Sequence, residues 1–74
     1  MMKEFLEKIK EALEIEDRDI QMTDNFKEYD EWDSLNKLSL IVMIDEEYDV
    51  QVPDDKVNSC SSLQELYDEI QKLK

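Results

Sequence analysis

A chain of 74 residues with no glycine and one proline has few ways to turn sharply. Tight β-turns draw on glycine for positive φ, whereas helix interiors are better without it. The sequence therefore favours an all-α fold. Its length allows a single small domain over residues 1–74, and a chain this short buries only about 60% of its extended surface. A hydrophobic fraction of 41% is ordinary for a folded domain and argues against disorder despite the charge.

Apolar residues recur at helical spacing in three places. Residues 3–14 set Phe5, Leu6, Ile9, Ala12 and Leu13 on one face, with Lys3–Glu7 and Glu4–Lys8 spaced i,i+4 on the other. Residues 15–32 are polar and irregular, with isolated apolar anchors at Ile15, Ile20, Met22, Phe26, Tyr29 and Trp32. A connection this long inside a compact domain is often functional. Its anchors are expected to enter the core one at a time, with Thr23 or Asp24 starting a short turn. A second helix runs from about Ser34 to Glu47, with Leu35, Leu38, Ile41, Val42 and Tyr48 recurring at helical spacing and Leu40, Met43 and Ile44 widening the apolar side, the pattern of a buried amphipathic helix.

Asp49-Val50-Gln51-Val52-Pro53 alternates like a strand but has no partner strand, so it reads as an extended link. Pro53 then takes the first position of a short third helix, Asp54 to about Ser59. Ser62-Leu63-Gln64-Glu65 has the form of a capping box. The fourth helix behind it carries Leu63, Leu66, Tyr67, Ile70 and Leu73, and Lys72 and Lys74 close it. The expected architecture is a small bundle of three main helices plus a short third helix, with a long loop between helices one and two.

The net charge is −12, from 21 acids against 9 bases. That excludes nucleic-acid phosphate and anionic membrane surface as partners and predicts basic protein partners. The acids are concentrated: between Asp30 and Asp55 stand nine, against one base, Lys37. Cys60 is the only cysteine, so no intramolecular disulfide forms and a reducing compartment is expected. The N-terminal residues lack a signal-peptide pattern and no apolar run is long enough to span a bilayer, so a cytoplasmic location without membrane insertion is expected. Histidine is absent, which removes Ser-His-Asp triads, His-ligated zinc and imidazole bases.

Asp33-Ser34-Leu35 stands at the head of the second helix. A serine or aspartate there accepts hydrogen bonds from the free N–H groups of the first turn. The positive end of the helix dipole also tolerates a phosphate. The tripeptide reads either as a cap or as an attachment point. Its context carries more: Asp33-Ser34-Leu35, then Leu38, Asp45-Glu46-Glu47-Tyr48, Val52-Pro53-Asp54-Asp55, and Cys60-Ser61-Ser62-Leu63-Gln64 through Ile70. Over residues 3–73 this pattern resembles the acyl carrier protein family.

The resemblance implies that Ser34 carries a 4′-phosphopantetheine arm, whose terminal thiol holds acyl groups as thioesters, and that the protein itself is not an enzyme. It implies as partners a phosphopantetheinyl transferase and acyl-loading and acyl-transferring enzymes with basic docking patches. Leu35, Leu38 and Val42 would give apolar contacts, Asp45 and Glu46 charge, and Asp33 would help present Ser34. Leu35, in the half-exposed first turn, reads as docking; Leu38 and Val42 read equally as core or docking, and Asp45 and Glu46 taken singly read as a solvated face. The family shelters acyl chains in the bundle core. The matching positions, Phe26, Ile41, Met43, Ile44, Val50, Cys60, Leu63 and Leu66, read individually as ordinary core, with Cys60 a small buried hydrophobe.

Three places depart from the family pattern. Asp30, Glu31 and Trp32 replace a Leu-Gly pair and a small residue, and Asn36, Lys37 and Ser39 make the early docking helix less acidic. These departures point to a dedicated carrier of a specialised pathway, with Trp32 expected to cap the core beside Tyr29. The alternatives are an aminoacyl or peptidyl carrier, which usually shows Gly-Gly-x-Ser, and an unmodified acidic adaptor. A monomer is expected.

Overall fold

The computed structural model describes residues 2–74. It contains α1 (Met2–Leu13), a 3-10 turn (Phe26–Glu28), α2 (Ser34–Tyr48), α3 (Asp54–Ser59) and α4 (Leu63–Leu73), with no strand among the described residues. The all-helical bundle expected from the sequence is the one observed. Phe5, Ile9 and Leu13 of α1 and Leu63, Leu66 and Ile70 of α4 recur one turn apart and are fully buried. Burying each such side chain contributes about 1.5–3 kcal/mol. Phe5 meets Tyr48 and Tyr67 edge-on, at ring separations of 6.2 and 5.0 Å, and so links α1 to α2 and α4.

Two helices end in left-handed residues although no glycine is available. Glu14 has φ 60°. Its N–H donates to the Glu11 carbonyl at 3.3 Å, and the Ile15 N–H donates to the Lys10 carbonyl at 2.9 Å. That is the Schellman pattern, which satisfies the last helix carbonyls. Asp49 closes α2 at φ 56°, donating its N–H to the Asp45 carbonyl at 2.9 Å. A left-handed conformation in a non-glycine residue costs about 1–2 kcal/mol. The chain therefore turns at a conformational cost that helix capping offsets.

The long loop is built as expected, from single anchors. Ile15, Ile20 and Phe26 are buried, and Met22, Tyr29 and Trp32 pack on the core edge. Trp32 covers Phe26 edge-on at 5.1 Å. Asp24 closes a turn: its N–H donates to the Gln21 carbonyl at 3.0 Å, and its carboxylate accepts from the Gln21 N–H at 2.9 Å. The 3-10 turn follows, with Asn25 as its cap. The loop is also joined to the start of α4, where the Gln64 and Leu63 N–H groups donate to the carbonyls of Met22 (2.9 Å) and Asp24 (3.0 Å).

Three expectations need correction. The buried face of α2 is Asn36, Leu40 and Ile44; Leu35, Leu38 and Val42, of which the latter two read equally as core or docking, face out, and Asn36 is the residue the apolar pattern did not place inside. The helix is apolar nearly all round, so spacing alone selects no face; packing of α2 against α1 does. Pro53 is the cap of α3 and not its first residue; its ψ of 151° is extended, and Asp54 begins the helix. The capping box of α4 is shifted by one residue: Ser62 Oγ accepts from the Glu65 N–H at 3.2 Å, but the Glu65 carboxylate accepts from the Ser61 N–H at 3.0 Å.

Candidate functional site

The question left open by Asp33-Ser34 is which side chain caps α2. Asp33 does. Its backbone is extended, its Oδ1 accepts from the Asn36 N–H at 2.8 Å, and its carbonyl accepts from the Lys37 N–H at 2.9 Å. Ser34 is therefore the first residue inside the helix. It is exposed, and among the described residues its hydroxyl makes no hydrogen bond. It sits beside the N–H groups of a 15-residue helix, where the dipole favours an anion.

The approach to Ser34 is held by residues that spacing does not reveal. Asn36, which reads as a surface position, is buried at 8% exposure. Its amide nitrogen donates to the Glu31 carbonyl at 2.8 Å and to the Leu13 carbonyl at 3.2 Å. Arg18, the chain's one arginine, donates to both oxygens of the Glu31 carboxylate from its two terminal guanidinium nitrogens, Nη2 at 2.7 Å and Nη1 at 2.9 Å. The Arg18 hydrogen bonds, with one from its own backbone, hold the Glu31 carboxyl down to about 2. The guanidinium lies over the Tyr29 ring at 5.3 Å. Burial and a 2.8 Å bond to the Asp24 carboxylate push the Tyr29 hydroxyl well above its ordinary range. The only hint in the sequence is a lone arginine within an acidic loop.

Beyond Ser34, α2 presents an outward stripe. Leu35, Leu38 and Val42 are 69%, 58% and 47% exposed, and Asp45 and Glu46 continue the face as exposed acids. From Leu35 to Glu46 the stripe extends about 16 Å along the axis. The neighbouring Glu47 is paired with Lys8 of α1 at 3.7 Å. Lys37, the one base among these acids, is held by Asp54 at 3.1 Å, which ties α2 to α3. The positions matching an acyl-sheltering core, Phe26, Ile44, Val50, Cys60, Leu63 and Leu66, are all buried, and Ile41 and Met43 pack at the edge. Burial, reinforced by Glu69 and Glu65, pushes the Cys60 thiol up, away from the reactive thiolate.

The described residues thus form a helical bundle with an exposed serine hydroxyl at the head of its 15-residue helix. The chain belongs to the family described as "Phosphopantetheine attachment site", whose model it matches over residues 3–70. It is thus a non-catalytic carrier whose cofactor is covalent 4′-phosphopantetheine, served by a phosphopantetheinyl transferase and by partner enzymes. No solved structure matches the chain. No helix among the described residues is long and apolar enough to cross a membrane.

Proposed function

We propose that the protein is an acyl carrier bearing its arm on Ser34 and presenting acyl thioesters to partner enzymes. The observation that carries this reading is the Ser34 hydroxyl itself: exposed and unbonded, because Asp33 has taken over the capping. A phosphodiester fits there. The oxygen is reachable by a transferase, and the first-turn N–H groups lie next to the charge it would gain. When bound, the arm supplies a thiol for thioester exchange. In attachment, Ser34 Oγ would attack the pantetheine-side phosphorus of coenzyme A's pyrophosphate; the P–O–P bond would break, adenosine 3′,5′-bisphosphate would leave, and the serine proton would pass to a base on the transferase.

Leu35, Leu38 and Val42, flanked by Asp45 and Glu46, supply the docking face for enzymes with basic patches. Acyl cargo is favoured over aminoacyl because Asp33-Ser34-Leu35 replaces Gly-Gly-x-Ser. The departures at Glu31, Trp32 and Asn36 favour a dedicated pathway. The monomeric, cytoplasmic reading is supported by the net charge of −12 and by a lone, buried Cys60 that needs no disulfide partner.

Intact mass spectrometry tests the proposal. Incubation with coenzyme A and a phosphopantetheinyl transferase is expected to add one arm's mass to the wild type and none to folded Ser34→Ala. A mass unchanged with transferases of broad and narrow specificity would refute it and leave an unmodified adaptor. Loading by an adenylating enzyme with an amino acid would move the assignment to an aminoacyl carrier.

A further inference from the structure

Ser34 follows a segment with no glycine, and that segment is fastened from both sides. Glu31 is the common anchor: its carboxylate is gripped by Arg18 and its carbonyl accepts from Asn36. Two residues farther on, Asp33 is bonded to the Asn36 main chain. Asn36 thus grips the same short loop at two points, and its second amide hydrogen reaches the Leu13 carbonyl at the end of α1. Both amide hydrogens are used, which an aspartate could not reproduce and a longer glutamine could not place alike. Arg18 is itself set by its contact with the Tyr29 ring, and Tyr29 by its bond to Asp24.

We propose that Asn36 and Arg18 are positioning residues for arm attachment, clasping Glu31 so that the Ser34 hydroxyl is held ready for the transferase. The inference rests on Ser34 being the attachment residue. Neither side chain lies on the docking stripe of Leu35, Leu38 and Val42. Loosening the clasp therefore changes how often the hydroxyl is aligned and leaves encounter with the transferase as it was. Misplacing a reacting group by even a fraction of its productive geometry lowers turnover, not binding.

The test is transferase kinetics with the full-length apo carrier as varied substrate. Asn36→Asp is expected to lower kcat about tenfold with KM unchanged. Arg18→Gln is expected to lower it about threefold, and Arg18→Lys, which keeps one donor group, to fall between it and wild type. Because Asn36 is buried, its variant may only be scored if it melts cooperatively; the Arg18 variants, at a half-exposed site, decide the matter if it does not. A loss carried wholly in KM, or kcat equal to wild type in Arg18→Gln, would overturn the clasp while leaving attachment at Ser34 intact. A wild type that gains no mass would remove the attachment reading beneath it.

Discussion

Replacing Asp33 separates the two roles that Asp33-Ser34 combines. The Asp33 carboxylate makes one capping bond, 2.8 Å from the Asn36 N–H. Loss of such a cap to alanine costs about 1 kcal/mol. Unfolding entropy of about 2.1 cal/mol/K per residue over this length gives about 155 cal/mol/K, so the cost corresponds to about 6 °C in Tm. Charge complicates any single comparison. With a net charge of −12, removing an acid also relieves repulsion. Asp33→Asn and Asp33→Ala remove the same charge, but only asparagine keeps the acceptor. The difference between the two variants therefore isolates the hydrogen bond. Thermal melts followed by circular dichroism at fixed salt should place Asp33→Asn near wild type and Asp33→Ala about 6 °C below Asp33→Asn. If the two variants melt together, the bond contributes nothing, and the explanation for the free Ser34 hydroxyl loses its physical basis.

Two further outcomes are expected. On α2, Ile44→Ala should cost about 2–5 kcal/mol, since Ile44 is fully buried, whereas Leu38→Ala should stay within about 0.5 kcal/mol yet raise the KM of the transferase; denaturant titrations with transferase kinetics check both, and equal losses of stability would contradict the orientation of the helix. The Glu31 carboxyl, held at about 2 by Arg18, contributes stability that is full above the ordinary carboxylate range and fades as pH falls through its folded value. The Tm of wild type should accordingly fall more than that of Arg18→Gln between about pH 5 and pH 2, and parallel curves would show that the pair does not stabilise the folded state.

How far the sequence reaches differs from helix to helix. In α1 and α4 the apolar residues fall on one stripe against charged neighbours, so period alone identifies Phe5, Ile9 and Leu13, and Leu63, Leu66 and Ile70, as core. In α2 the same method does not choose between sides. Leucine, isoleucine and valine surround that helix, and only a neighbour in space, α1, determines that Leu40 and Ile44 turn inward while Leu38 and Val42 stay in water. Local chemistry was legible wherever partners lie within a few residues, as at the Ser62 cap, and was off by one residue where the backbone chooses among near neighbours, as at Pro53 and Glu65.

The all-helical class, the long anchored loop and the family pattern around Ser34 follow from composition, period and short motifs, because these express contacts between residues close in the chain. The clasp on Glu31 does not. Arg18 and Asn36 reach it from 13 and 5 residues away, and Asn36 also reaches 23 residues back to Leu13. An asparagine in a helix and an arginine in an acidic loop have no periodicity to reveal them. Their hydrogen bonds exist only once α1, the loop and α2 have been brought together, and so the fold, not the order of residues, decides how firmly the Ser34 hydroxyl is presented.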